Sequence, residues 1–184
     1  MGRKREHLTL TEVRALLNAA KRTGRESLRK RNHLMVLIMY RHGLRVSELC
    51  GLRWADVDLP GGEVFIRRVK GSVSGTHHLE HDENRGLAAL RRARPDTAFV
   101  FSGATGKPLR DTAVRELILR LGREAGLPFR VHPHQLRHSV GFDLIDQGHG
   151  LRHVQQWLGH RDIANTVKYT ALSGSALRGI KARV

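Results

Sequence analysis

The chain has 184 residues, enough for one well-buried domain and too few for two full ones, and its 33 Lys and Arg against 17 Asp and Glu leave a formal charge of +16. That surplus favours a polyanionic partner, nucleic acid first, over an acidic small molecule. No run of about 18 apolar residues occurs and the opening MGRKREHLTL lacks an apolar signal core, so neither a membrane span nor secretion is expected, and the expected location is the cytoplasm, on the nucleoid.

Thr9 and Glu12 have capping-box spacing, and Val13, Leu16, Leu17 and Ala20 recur at helical intervals before Gly24, which predicts a first amphipathic helix. Residues 31–42, almost wholly apolar from Leu34 to Tyr40 and closed by Gly43, read as a helix buried on most sides. A short helix is expected over 47–52; its Cys50, the single cysteine, reads as a small core residue with no disulfide partner. Pro60-Gly61-Gly62 marks a turn before the β-forming stretch 63–69, and a loop bracketed by Gly71 and Gly75 leads to 77–79, so a sheet of about three short strands is expected. Helices then follow at 83–94, 111–125, 134–147, 151–158 and 162–170, with a loop over 102–108. The fold class is mainly α with a small antiparallel sheet or hairpin. A single catalytic domain over 1–184 is expected, with a lead at 1–7, a small and basic tail at 173–184, and no separate N-terminal core-binding domain.

Breaking a phosphodiester without a metal requires a nucleophile, cationic donors around the non-bridging oxygens, and an acid for the departing sugar oxygen. Arg45, just past the buried helix, and Arg137, within His134-Gln135-Leu136-Arg137, offer guanidinium forks on rigid elements. A single arginine in so basic a chain is more often solvated or ion-paired; the order of segments carries the case. Gly43-Leu44-Arg45-Val46-Ser47-Glu48-Leu49 is followed by Val69-Lys70-Gly71, then His134-Gln135-Leu136-Arg137-His138, then Leu158-Gly159-His160, then Tyr169.

This succession, spanning Leu8 to about Thr170, resembles the tyrosine recombinase, or phage integrase, family. The His132-Pro133-His134 preface and Trp54-Ala55-Asp56-Val57-Asp58-Leu59 look most like the short recombinases that invert fimbrial promoter switches. The resemblance implies the family's catalytic-domain fold, with Arg45 and Arg137 on the scissile phosphate and His134 and His160 donating hydrogen bonds or moving protons at its oxygens. It makes Lys70 the hairpin lysine that protonates the leaving 5′ oxygen, and Tyr169 the nucleophile that leaves a 3′-phosphotyrosine. The chain departs from the family after Lys70, where Ser72-Val73-Ser74-Gly75-Thr76-His77 stands in place of further basic residues.

Of the two tyrosines, Tyr40 sits within an apolar run and reads as core, whereas Tyr169 follows the polar Asn165-Thr166-Val167-Lys168. Glu48, one helical turn past Arg45, would orient that arginine or cap nearby backbone. No cofactor and no metal are expected: His77, His78 and His81, and His132, His134 and His138, lack the cysteine pair or carboxylates of a closed zinc site. Trp157 reads as packing. The expected partner is double-stranded DNA carrying specific recombination sites. A monomer or weak oligomer when free would become a homotetramer on paired sites, for inversion, excision or integration. The competing readings are a catalytically silent DNA-binding regulator of the same fold and a type IB topoisomerase that relaxes supercoils, the latter separable by product topology.

Overall fold

The first helix begins where Thr9 and Glu12 close on each other: Glu12 N donates to Thr9 Oγ1 (3.2 Å) and Thr9 N to Glu12 Oε2 (2.7 Å). In this computed structural model, which describes residues 6–69 and 71–170, α1 runs Leu10–Arg22 and turns Val13, Leu16, Ala19 and Ala20 inward. Helix α2 (Glu26–Arg41) carries the apolar run through the middle of the molecule, with every residue from Leu34 to Tyr40 buried against α1, α4 and α6. It starts five residues ahead of the expected 31–42, because its polar first turn has no apolar period to announce it. Gly43, at φ +59°, ends it; a Cβ there would fall 2.5 Å from Leu158 Cδ2, so the turn and the close approach of α7 both require glycine.

Helix α3 (Val46–Cys50) follows, then a 3₁₀ turn (Trp54–Asp56) and three strands: β1 (Val57–Asp58), β2 (Glu63–Ile66) and β3 (Gly75–His78). They pair antiparallel in the order β1-β2-β3, Val64 opposite both Val57 and His77. Strand β2 stops at Ile66, short of the expected 69, because Arg68 N donates to Ser74 Oγ (3.0 Å) instead of continuing the ladder.

Helix α4 (His81–Ala93) starts two residues earlier than expected, where Glu80 N finds Glu83 Oε2 (3.0 Å). Helices α5 (Asp111–Glu124), α6 (Pro133–Asp146) and α7 (Leu151–Leu158) lie within a residue of their expected bounds. The expected helix 162–170 shortens to α8 (Ala164–Val167), after which Tyr169 N bonds Thr166 O and Thr170 N bonds Val167 O, three-residue closures tighter than an α-turn. Cys50 is buried and burial, with Asp111 alongside, raises its thiol pKa to about 12, which suits a core residue. Among the described residues no helix is long and apolar enough to cross a membrane. The tail 173–184, most of the N-terminal lead and Lys70 lie outside the described residues.

Candidate active site

Two turns and the start of one helix build a shelf of cations. Arg45 caps α3, and its backbone N and Nη1 both donate to Glu48, at 2.9 and 2.8 Å. Glu48 is nearly inaccessible and also takes Arg68 Nη1 (2.9 Å) and Val69 N (3.3 Å). It therefore does both things the sequence allowed, orienting Arg45 and capping backbone. Burial opposes its charge, but the Arg45 amide and the Arg68 and Arg45 guanidinium groups outweigh that and hold its pKa below the usual carboxylate value.

Arg137 projects from the second turn of α6. Pro133 at the start of that helix and the bond from His132 N to Gln135 Oε1 (2.9 Å) fix the helix entry. Arg137 is 1% exposed; Nη1 donates to Gly43 O and Nη2 to Leu158 O (2.6 Å), tying α6 to the ends of α2 and α7. Burial, then Arg45 and Arg68 nearby, lowers its pKa to about 10, so it still carries its charge at neutral pH.

The histidines and the tyrosine close the other side. His134 sits at the mouth, its pKa lowered by burial and then by Arg137, Lys168 and Arg45. His160, just past α7, pairs through Nδ1 with Thr166 Oγ1 (2.9 Å) and lies nearly parallel to the Tyr169 ring, 6.3 Å between centroids. Burial and the surrounding cations lower its pKa to about 4. Tyr169 has no exposed surface, contrary to what its polar neighbours suggested. Its ring packs edge-on to Phe142 and over Gly141, where a Cβ would come within 2.6–2.8 Å of ring carbons, and its hydroxyl pairs with His138 Nδ1 at 3.1 Å. Burial raises its pKa to about 12 in spite of Arg137 and Arg45.

The segment that departs from the family pattern is used inward. Ser72 Oγ accepts from Arg45 Nη1 (3.0 Å), Val73 N donates to Gly159 O (3.0 Å), and Ser74 Oγ accepts from Arg68 N. The result is an open cleft of about 790 Å³ lined by Arg45, His134, Arg137, His160 and Tyr169, with Arg152, Arg161 and Lys168 adding charge to its wall. It thus gathers every expected site residue except Glu48, which lies behind Arg45, and Lys70, which falls outside the described residues.

His77 is buried instead against His42 and Trp157, while His78 and His81 stay exposed; Trp157 packs there as expected, its Nε1 donating to Arg41 O (2.9 Å). Sequence reasoning missed two contributors, His138 and Arg68. His138 stands one helical turn past His134. Arg68 continues the inward alternation of Val64 and Ile66, a period-two signal readable in the sequence.

The cleft thus gathers guanidinium groups, imidazoles and one phenol around one open, cationic space, the donor set that metal-free phosphoryl transfer calls for. The chain belongs to the phage integrase family, the tyrosine-type site-specific recombinases, which it matches over residues 6–175. It is 39% identical over 184 residues to the type 1 fimbriae regulatory protein FimB of Escherichia coli (strain K12), covering 97% of this chain and 90% of that one. It is 36% identical to FimE of the same strain, covering 96% and 91%. Among solved structures it is similar to XerA recombinase, with a TM-score of 0.80 and 30% identity over 94% of this chain and 61% of that one. A XerH recombinase bound to a palindromic difH substrate in a post-cleavage complex also has a TM-score of 0.80, at 26% identity over 93% and 51%. The chain therefore spans only about half to three fifths of those two structures.

Proposed function

We propose that this chain cuts and rejoins double-stranded DNA at paired recombination sites through a 3′-phosphotyrosine at Tyr169. The observation that carries this is the convergence of Arg45, His134, Arg137, His160 and Tyr169 on one cleft open to solvent. Arg45 and Arg137 each keep guanidinium hydrogens beyond those the protein uses, and these take the non-bridging oxygens of the scissile phosphate as negative charge builds on them. His134 and His160, neutral before DNA arrives, sit beside that charge, which raises their pKa and lets them donate to it.

In the resting arrangement the Tyr169 hydroxyl is buried on His138, so the turn after α8 swings out to reach phosphorus. The phenolic oxygen then bonds to phosphorus as the bond to the 5′ oxygen breaks; the phenol proton passes to a neutral imidazole of the cleft, and Lys70 protonates the 5′ oxygen. A 5′ hydroxyl from the second site attacks the phosphotyrosine in turn and releases Tyr169. The bond energy stays in the ester, so resealing consumes no nucleotide. Four protomers on two sites are required for both strand exchanges, and site orientation decides between inversion, excision and integration. The resemblance of residues 132–134 and 54–59 to the short recombinases that invert fimbrial promoter switches favours inversion.

The test is a nicked suicide duplex carrying the chain's own site, selected from host DNA. Wild type should form a covalent adduct on the peptide holding Tyr169, and Tyr169→Phe should form none while still binding. Specific binding with no adduct from wild type would favour the silent regulator instead.

A further inference from the structure

Arg68 does not line the cleft, yet it is built into the same frame as Arg137. The two guanidinium groups run side by side. Arg68 Nη1 and Arg137 Nη1 both donate to Gly43 O, and their Nη2 atoms donate to consecutive carbonyls, Arg68 to Trp157 O and Arg137 to Leu158 O, each at 2.6 Å. Arg68 adds His42 O (3.0 Å) and Glu48 Oε2 (2.9 Å). Its four terminal hydrogens thus have four protein acceptors and its side chain is 1% exposed, so it presents nothing to DNA. Arg137 spends only one hydrogen on each terminal nitrogen.

Charge makes the arrangement specific. Glu48 has two oxygens: Oε1 holds Arg45, and Oε2 holds Arg68 while Arg137 Nη1 stands 4.0 Å from that same Oε2. Without Arg68, Arg137 is the cation among the described residues that already stands within salt-bridge reach of Oε2. A closed Arg137–Glu48 pair would draw that guanidinium back from the cleft and neutralise the charge meant for phosphate.

We propose that Arg68 is a positioning residue for strand transfer, occupying Glu48 and the Gly43 carbonyl so that Arg45 and Arg137 stay aligned on the scissile phosphate. The proposal rests on the reading that these two arginines hold that phosphate. Its place is set from below by a second buried polar group: His42, whose carbonyl Arg68 uses, pairs through Nδ1 with His77 (3.2 Å) and stands 3.2 Å through Nε2 from Glu83.

The experiment compares Arg68→Met, Arg68→Lys and Arg137→Lys in single-turnover cleavage of two suicide duplexes, one with the ordinary scissile phosphate and one with a methylphosphonate there. DNA affinity and thermal melting are measured alongside. A methyl group in place of one non-bridging oxygen removes the negative charge, so a defect in charge neutralisation shrinks on that substrate and a defect in folding does not. Relative to wild type on each substrate, Arg68→Met should be slower by about 100-fold on the phosphate and by about tenfold or less on the methylphosphonate, with affinity within about threefold. Arg68→Lys, whose single ammonium can keep Glu48 but not every carbonyl, should show the same pattern at smaller size, and it carries the test if the methionine variant does not fold. Equal losses on both substrates, or no loss, in the Arg68 variants while Arg137→Lys shows the substrate-dependent pattern would overturn the proposal alone. Equal losses for Arg137→Lys as well would overturn the phosphate reading and the proposal with it.

Discussion

Arg137 and Tyr169 face the same cleft and both are fully buried, yet they are held in different ways. Arg137 is bonded to the last turns of two other helices and shares Gly43 and Glu48 with a second buried arginine. The Tyr169 hydroxyl pairs with His138, just past the end of a four-residue helix that packs on α7. On the proposed mechanism, the cations that stabilise a pentavalent phosphorus are thus assembled before DNA arrives, while the nucleophile is parked. If cutting waits on the pairing of two sites, as proposed, that division puts the reactive group on the more lightly held part and the electrostatics on the rigid part.

The comparison is broken hardest at Glu48. Glu48→Ala leaves Arg68 buried without its carboxylate and should cost about 3–5 kcal/mol of stability, with Glu48→Gln costing less; chemical denaturation measures both. Arg137→Ala removes a proposed donor to the phosphate and should slow single-turnover cleavage by about 10²–10³ while Tyr169 stays buried, the latter read by its resistance to nitration. Gly141→Ala acts on the other half: the added methyl evicts the Tyr169 ring, at about 1–3 kcal/mol, and should make Tyr169 the more readily nitrated of the two tyrosines in peptide mass mapping.

The smallest effect is acid sensitivity. His77 and His138 are neutral in the fold, lowered to about 3 by burial and neighbouring cations, against an ordinary value of 6.5. The unfolded chain therefore binds more protons, and stability falls as pH drops from about 6.5 toward 3. For His77 the loss should be roughly 1–2 kcal/mol by pH 5, and His77→Asn should flatten the melting profile over that window.

Much of the shelf was legible in the sequence because its residues lie at fixed distances on or beside regular elements. Gly43 and Arg45 bracket the join of α2 and α3, and His134 and Arg137 share one face of α6 three residues apart. Arg68 was harder to read, since a charged residue in a basic strand suggests solvent. Only its alternation with Val64 and Ile66 marks it as inward, and what makes that burial affordable, Glu48 and three backbone carbonyls, comes from distant segments. Tyr169 was legible as a position but not as a burial state: its neighbours in sequence are polar, while its cavity is made by Gly141 and Phe142 on α6. The expected last helix was too long for a similar reason, because apolar spacing does not distinguish an α-turn from the three-residue closures that carry Tyr169.

The contrast between a prebuilt shelf and a parked nucleophile can be read directly with fluorotyrosine in place of both tyrosines, the signals assigned with Tyr40→Phe and followed by fluorine NMR. In the free protein the Tyr169 signal should show no solvent isotope shift; on binding an intact duplex with the recombination site it should move, while Tyr40, held by Asp143 at 2.9 Å, should not. A Tyr169 signal already open to solvent in the free protein, or one unchanged in a complex that goes on to cleave, would contradict the account.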